Sequence, residues 1–255
     1  MSITKKLNFL LFLLFSSINL SFANTDLMSG LLFSPERIVY LESENKGAMT
    51  TLENANKEVA LVQASVITAD KKTLKPSFNK DNNSASEIFL ITPPLHRLDS
   101  GVRHSWRIQR ISDGNLPNDR ESVFFVVLKI IPEGSSKDKP GSEFIVAPTL
   151  YFKMLYRPKA IEKLSIDKEV ENIRFSKNKN KLIIKNPSAL SMTLTSLSIG
   201  DYKVPSELID DSILPFGEMH IDIPQSASGQ VTWQVLNEYG LITRLSIGVL
   251  DENIS

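Results

Sequence analysis

The sequence predicts an all-β protein built from two β-sandwich domains. Short apolar or alternating runs recur from residue 33 to residue 249, and Gly, Pro, Asn, Asp and Ser separate them. No long helical periodicity competes with this pattern. Seven runs precede residues 157–158 and seven follow, which is the number expected for two seven-stranded, immunoglobulin-like sandwiches.

The predicted strands follow in chain order. Those of the first half lie near Phe33–Leu41, Met49–Asn54, Val59–Thr68, Ile88–Thr92, His104–Arg110, Val123–Ile131 and Phe144–Tyr156. Those of the second half lie near Ile173–Ser176, Lys181–Asn186, Met192–Ile199, Tyr202–Val204, Met219–Ile223, Gln230–Leu236 and Thr243–Val249. The connection Ala69–Ser86 is rich in charged and amide residues, so we expect it to be mobile and solvated.

The first 23 residues have the features of a secretory signal peptide. Lys5 and Lys6 precede an apolar core at 7–15, and small residues favour cleavage after Ala23. The apolar core is too short to span a bilayer, and no other stretch reaches the length of a membrane helix. We therefore predict an exported chain without direct membrane insertion, with a signal peptide at 1–23 and sandwich domains at 24–157 and 158–255.

The composition excludes several kinds of chemistry. The chain has no cysteine, so thiol catalysis, disulfides and cysteine-ligated metals are absent. Basic and acidic residues number 29 each, and loss of Lys5 and Lys6 leaves a slight acidic excess that offers no attraction to nucleic acid. The three histidines lack metal-ligand spacing, and no nucleophile elbow or phosphate loop occurs. We expect no enzymatic activity, no metal and no cofactor.

Residues 116–132 carry the most specific pattern of the chain. Leu116, Pro117, Asp119, Arg120, Glu121, Ser122, Val123, Phe125, Leu128, Ile131 and Pro132 resemble, almost position for position, the signature of the periplasmic chaperones that assemble pili in Gram-negative bacteria. One position departs, because Val127 stands where that family usually has Asn. Further similar segments are Ile91–Leu98, Leu150–Pro158, Asn186-Pro187-Ser188 and Asn237–Gly240.

The resemblance implies a binding site for a carboxylate. Arg37 on the first strand and Lys153 on the seventh match two cations that meet, in that family, in the cleft between two domains set at an angle. There they grip the C-terminal carboxylate of a pilus subunit. A guanidinium and an ammonium suit this task because charge-assisted hydrogen bonds are stronger than neutral ones. The residues alone favour two ordinary surface cations, and the resemblance reverses that preference.

The resemblance also implies a donated strand. Phe144, Val146 and Pro148 match the positions that fill an apolar groove of the subunit, whereas Ile145 and Ala147 are expected to face the chaperone's own core. Alternation by itself also fits an ordinary half-buried strand. Pro148 lacks an N–H, so we expect it at a bulge or where that donor is not needed.

A third set of residues matches an interdomain ion network. Glu121, Arg157 and Glu238 occupy its positions, although the family usually has Asp at the last of them. The role implied is to fix the angle between the domains. The alternative is an exposed charge cluster of little energetic weight.

These expectations combine into one functional hypothesis. The protein is identified as a member of the two-domain periplasmic chaperones that stabilise pilus or fimbrial subunits and deliver them to an outer-membrane usher. The loop Glu133–Glu143 is short, and in this it resembles the loop of the subclass that serves rod-like adhesive pili. The alternative hypothesis is an exported immunoglobulin-like structural or adhesive fibre module.

Overall fold

The computed structural model describes residues 30–78, 85–132 and 147–252. The predicted signal peptide with its cleavage site and the predicted loop Glu133–Glu143 lie outside these ranges. The described residues form four β-sheets, two built from residues 31–157 and two from residues 174–252. The predicted all-β class with two sandwiches is confirmed.

The first sandwich consists of one antiparallel sheet and one mixed sheet. Its described strands are β1 (Leu31–Ser34), β2 (Arg37–Leu41), β3 (Ala48–Asn54), β4 (Ala60–Thr68), β5 (Phe89–Thr92), β6 (Leu95–Leu98), β7 (Arg103–Arg110), β8 (Ser122–Pro132) and β9 (Thr149–Arg157). One sheet has the order β1-β3-β7-β5 and the other the order β2-β9-β8-β4-β6. All neighbours are antiparallel except β2 and β9, which run parallel.

The second sandwich follows the same principle. Its described strands are β10 (Arg174–Asn178), β11 (Lys181–Lys185), β12 (Met192–Ile199), β13 (Tyr202–Lys203), β14 (Ser212–Ile213), β15 (Glu218–Asp222), β16 (Val231–Val235), β17 (Ser246–Gly248) and β18 (Leu250–Glu252). The sheets have the orders β15-β11-β10-β18 and β13-β12-β16-β17, with β14 attached to β12. Single helical turns lie at Ala85–Ile88, Lys159–Ile161, Ile166–Glu169, Val170–Asn172 and Ser206–Leu208.

The structure differs from the predicted strands at several sites. The predicted strand Phe33–Leu41 is two strands, because the chain leaves one sheet after Ser34 and enters the other at Arg37. Three short strands, β6, β14 and β18, were not predicted. They have two to four residues, and β6 is a sheet edge with His and Arg among its side chains, so none gives a clear apolar run.

Strand β8 is buried on both of its faces. Phe124, Val126 and Leu128 pack in the core between the two sheets of the first sandwich. Val123, Phe125 and Val127 point the opposite way, into a second apolar cluster that also contains Leu74, Leu155 and Leu214. Because Leu214 comes from the second sandwich, this cluster joins the two halves of the protein. Double-sided burial explains why the run lacks polar alternation.

The segment Asn186-Pro187-Ser188 forms a turn of the second sandwich in which Asn186 and Ser188 are buried and Pro187 is exposed. The Asn186 amide donates to the carbonyl groups of Leu190 and Leu214 at 2.7 and 3.0 Å, and its Oδ1 accepts the N–H of Ser188 at 3.0 Å. The side chain is fully buried, so these bonds satisfy polar groups that water cannot reach. The turn leads directly into β12, which lines the site described next.

Candidate functional site

Arg37 and Lys153 are direct neighbours on parallel strands. Arg37 begins β2, and its register partner on β9 is Lys153. Along β9, Phe152 and Met154 pack into the first core, so Lys153 between them points to the opposite face. The two cations therefore project together from the same sheet toward the second sandwich.

The Arg37 guanidinium makes all of its described hydrogen bonds to the second sandwich. Nη1 donates to the carbonyl oxygens of Leu236 and Asn237 at 3.0 and 2.9 Å. Nη2 donates to Thr193 Oγ1 at 3.0 Å. Only 8% of the residue is exposed, and this burial lowers the pKa of Arg37 from its ordinary value. An arginine guanidinium stays protonated in proteins at neutral pH, so Arg37 carries its charge.

Lys153 is held by a serine of the second sandwich. Its Nζ donates to Ser212 Oγ at 2.8 Å, and Ser212 Oγ lies 2.9 Å from Thr193 Oγ1. The two hydroxyl groups thus connect Lys153 to Arg37 through a continuous polar chain. Burial is the main cause that lowers the pKa of Lys153 to about 8, and the positive charge of Arg37 lowers it further.

The charge of this pair is not compensated locally. Among the ion pairs of the described residues, none joins Arg37 or Lys153 to a carboxylate. Glu121 and Glu238 act on Arg37 through space, but both form ion pairs with Arg157. Two adjacent, partly desolvated cations with hydroxyl groups beside them are chemically suited to an anion such as a carboxylate.

Arg157 lies beside this site and joins the two acidic residues predicted to accompany it. Its Nε donates to Glu121 Oε2 at 2.9 Å, and Nη2 lies 2.9 Å from Glu238 Oε1 in an ion pair without hydrogen-bond alignment. A third donor, Nη1, reaches the carbonyl of Leu164 at 3.0 Å. The Glu121 side chain is fully buried, and those of Arg157 and Glu238 are 4% and 8% exposed.

The same carboxylates also bind the backbone of the second half of the chain. Glu121 Oε1 accepts both the N–H and the hydroxyl of Ser191, and Glu238 Oε1 accepts the N–H of Ile166 at 2.8 Å. The three residues therefore form a buried network that spans the two sandwiches. The alternative of an exposed charge cluster is excluded by this burial.

The donor residues are only partly within the described ranges. Phe144 and Val146 lie outside them. Pro148 immediately precedes β9, and its carbonyl accepts the N–H of Ile130 at 2.8 Å, which extends the ladder between β8 and β9. Since Leu150 and Phe152 pack on the first core, alternation places Pro148 on that same face and Ala147 on the opposite one. The expectation that Ala147 faces the first core is therefore wrong.

One side of β9 is open before Lys153. The pairing of β2 with β9 begins at Lys153, and among the described residues no strand continues it toward Thr149. On this stretch Tyr151 is 40% exposed, and Phe78 stacks edge-on against it with ring centroids 5.8 Å apart. An open edge with exposed aromatic groups is suited to pairing with a strand from another chain.

Sequence reasoning missed the residues by which the second sandwich completes the site. Thr193, Ser212 and the carbonyl groups of Leu236 and Asn237 contact the two cations. Their residue types are common, and backbone acceptors leave no sequence signal. The connection after Ala69 was also misjudged, since residues 69–76 fold into a turn packed against the second sandwich.

The described ranges show neither a candidate metal site nor a helix that could cross a membrane. Residues 30–78, 85–132 and 147–252 contain no cluster of three or more His, Asp or Glu side chains placed to hold a metal ion. None of the helices in these ranges is long and apolar enough to cross a membrane.

Comparisons with known proteins match both halves of the chain. Residues 30–162 match the family described as pili and flagellar-assembly chaperone, PapD N-terminal domain, and residues 168–247 match the pili assembly chaperone PapD, C-terminal domain. Chaperone protein FimC of Escherichia coli strain K12 is 26% identical over 223 residues, which cover 88% of this chain and 86% of FimC. Chaperone protein PsaB of Yersinia pestis is 29% identical over 233 residues, which cover 82% and 79%.

Solved structures give the same result. The Escherichia coli chaperone DraB superposes with a TM-score of 0.70 at 27% identity, covering 86% of this chain and 96% of DraB. A chain in the structure of the Salmonella enterica SafA pilin in complex with the SafB chaperone also has a TM-score of 0.70, at 26% identity and with 86% and 96% covered. The protein belongs to the PapD-like family of pilus assembly chaperones.

Proposed function

We propose that this protein binds the C-terminal carboxylate of a pilus or fimbrial subunit between Arg37 and Lys153 and stabilises the subunit by lending it the segment before Lys153. The observation that carries the proposal is the pair of adjacent cations without a carboxylate partner in the described structure. A carboxylate placed there gains two charge-assisted interactions in a partly desolvated cleft.

The open edge of β9 supports the second half of the proposal. A subunit strand that pairs with residues before Lys153 continues the sheet beyond β2 and satisfies unpaired backbone groups. Phe144, Val146 and Pro148 are the proposed side chains that enter the subunit groove. Pro148 shares the face of Leu150 and Phe152, so its side chain lies in line with the layer of the first core.

The proposed role of the Arg157 network is to hold the two sandwiches in place, and not to contact the ligand. Glu121 and Arg157 belong to the first sandwich and Glu238 to the second, and their buried ion pairs hold the two cations opposite Thr193 and Ser212. We propose that this network fixes the angle of the cleft. Breaking it weakens both folding and capture.

The resemblance and the relatives support proposals about the compartment, the absence of catalysis and the next partner in assembly. We propose that the chain is exported to the periplasm with cleavage after Ala23, that it acts without catalysis or cofactor, and that it passes its subunits to an outer-membrane usher. The solved complex of the SafA pilin with the SafB chaperone supports a subunit as the partner.

The test uses Lys153→Met in co-expression with the pilus subunits of the same host. Lys153 makes one described side-chain bond, whereas Arg37 also ties the two sandwiches together, so Lys153 separates binding from folding more cleanly. Losing one partner of a desolvated charge pair costs about 2–5 kcal/mol of binding. We expect a one-to-one complex in size exclusion with the wild type and loss of it with Lys153→Met at an unchanged thermal melt.

The matched control is Lys129→Met, an exposed lysine on the same outer face of the neighbouring strand β8. It should capture subunits as the wild type does. Capture by Lys153→Met at wild-type levels contradicts the proposed carboxylate site, and failure of the wild type to stabilise any subunit contradicts the chaperone function itself.

A further inference from the structure

Residues 70–76 form a compact turn at the edge of the first sandwich, which we call the latch. The Asp70 carboxylate accepts the N–H of Lys72 and the N–H and hydroxyl of Thr73, each near 3 Å. The backbone closes the turn through Asp70 N–H to Lys75 O at 2.8 Å, next to the bridge between Ala69 and Pro76. These bonds give the latch a defined shape.

The apolar side of the latch is inserted between the two sandwiches. Leu74 has a φ of 53°, an uncommon backbone conformation for a branched side chain. It is nevertheless only 8% exposed and belongs to the cluster that contains Phe125, Val127 and, from the second sandwich, Leu214. Burial of this leucine offsets the conformational cost.

The polar side of the latch contacts three consecutive residues of the second sandwich. Lys75 Nζ lies 2.7 Å from Asp210 and 2.9 Å from Asp211, and the N–H of Ser212 reaches the carbonyl of Thr73 at 3.4 Å. Each exposed ion pair is weak by itself. Their convergence matters because Ser212 is the residue that holds the Lys153 ammonium.

We propose that the latch is a positioning element for the carboxylate site: it fixes Ser212, and through Ser212 it holds the Lys153 ammonium beside Arg37. This inference rests on the proposed function of that site. Among the described residues no hydrogen bond or ion pair joins the latch to either cation, so its polar contacts reach the site through the second sandwich.

The charges around Lys153 explain why positioning is needed. Arg37 repels the ammonium, whereas Glu121 and Asp210 attract it through space. Glu121 is bound by Arg157 and Ser191, which leaves Asp210 as the competitor for the ammonium. By pairing with Asp210, Lys75 restrains that competitor while it anchors the segment that ends in Ser212. Losing Lys75 releases both restraints at once.

The experiment measures Lys153 directly in the free mature protein. We expect Lys75→Met to raise the pKa of Lys153 from about 8 toward its ordinary 10.5, since a freed Asp210 and a loosened, wetter ammonium both favour the charged form. An NMR titration of the Lys153 ε-methylene reports this value without any subunit. Lys75→Arg should restore the wild-type titration, and Lys72→Met, at an exposed position of the same turn, should leave it unchanged.

The second readout is the preference for a free carboxylate. Synthetic peptides with the C-terminal sequence of a pilus subunit are compared as free acid and as amide. We expect the wild type to prefer the acid and Lys75→Met to lose on the order of tenfold of that preference. Leu74→Gly, which tolerates the positive φ, should act in the same direction by removing the apolar anchor.

Two results overturn the inference. One is an unchanged Lys153 titration in both folded variants, Lys75→Met and Leu74→Gly. The other is an unchanged preference for the acid over the amide in a wild type that shows such a preference. If the wild type has no such preference, the proposed carboxylate site fails, and the titration alone still decides whether the latch positions Lys153.

Discussion

Arg157→Met is expected to destabilise the protein more than loss of any surface charge. The substitution keeps an unbranched apolar side chain but removes the guanidinium between Glu121, which is fully buried, and Glu238, which is 8% exposed. It also leaves the carbonyl of Leu164 without its donor. Breaking a buried ion pair by removing one partner costs about 3–5 kcal/mol, because the remaining charge stays desolvated.

Urea unfolding at pH 7, followed by fluorescence and by far-UV circular dichroism, measures this cost. Arg103→Met is the control, since Arg103 pairs with Glu53 at 3.0 Å but is 66% exposed, and exposed pairs contribute about 0–1 kcal/mol. If Arg157→Met lowers the free energy of unfolding by less than about 1 kcal/mol, the reasoning is refuted, since it holds that removal of Arg157 leaves buried charges without a partner. Adding Glu121→Gln to Arg157→Met should recover part of the loss.

Three further outcomes are expected. Burial lowers the pKa of Lys153 to about 8, so the affinity for a carboxylate should be constant below pH 8. Above pH 8 the affinity should fall by up to tenfold per pH unit, because binding then requires uptake of a proton. Binding isotherms at pH 6.5 and 9.5 measure this change, and the residual binding of Lys153→Met should not show it. Asn186→Ala leaves the carbonyl of Leu190 and the N–H of Ser188 without their described partners, whereas the carbonyl of Leu214 keeps the N–H of Gly217. The substitution should cost about 1–3 kcal/mol in urea unfolding, and a loss within error contradicts the role of this segment. Gly47→Ala should lower the melting temperature more than Gly101→Ala, although both glycines have φ near 70°. An added Cβ at Gly47 would collide with the carbonyl oxygen of Ile108, whereas at Gly101 none of the described atoms lies within 4 Å. Equal melting temperatures would show that the backbone of β7 moves to accept the methyl group.

The sequence predicted the fold because its strands are marked by local patterns. The long run that became β8 was recognisable from its polar entrance and from Pro132. Short strands such as β14 and β18 depend on pairing with distant residues and carry no such marks. The break between β1 and β2 also escaped prediction, although the polar residues and the proline of Ser34-Pro35-Glu36 mark it in the sequence. Which sheet each half joins is set by packing.

The candidate site was predictable only in its charged residues. Glu121, Arg157 and Glu238 meet in the structure, and so do Arg37 and Lys153. Their partners are hydroxyl and carbonyl groups that are far away in sequence, so no spacing rule indicates them.

Val127 is a residue whose departure from the family pattern is visible in the sequence and is explained by the structure. The residue departs from the pattern of the resembling family, and the structure gives a physical reason in this chain. Val127 belongs to the apolar cluster that contains Leu74 and Phe125 and is only 9% exposed, so a valine there is buried without any polar group to satisfy.

Arg37 couples the orientation of the two sandwiches to the direction of its own charge. Its backbone belongs to β2, yet its guanidinium is aimed by three acceptors on the other sandwich. A rotation of the second sandwich by a few degrees therefore redirects the Arg37 guanidinium. In the proposed function this side chain both holds the ligand and joins the two sandwiches, so the affinity for a carboxylate should depend on the angle between them. On that proposal, a change of this angle is sufficient to weaken the hold on a subunit, and no competitor has to enter the cleft.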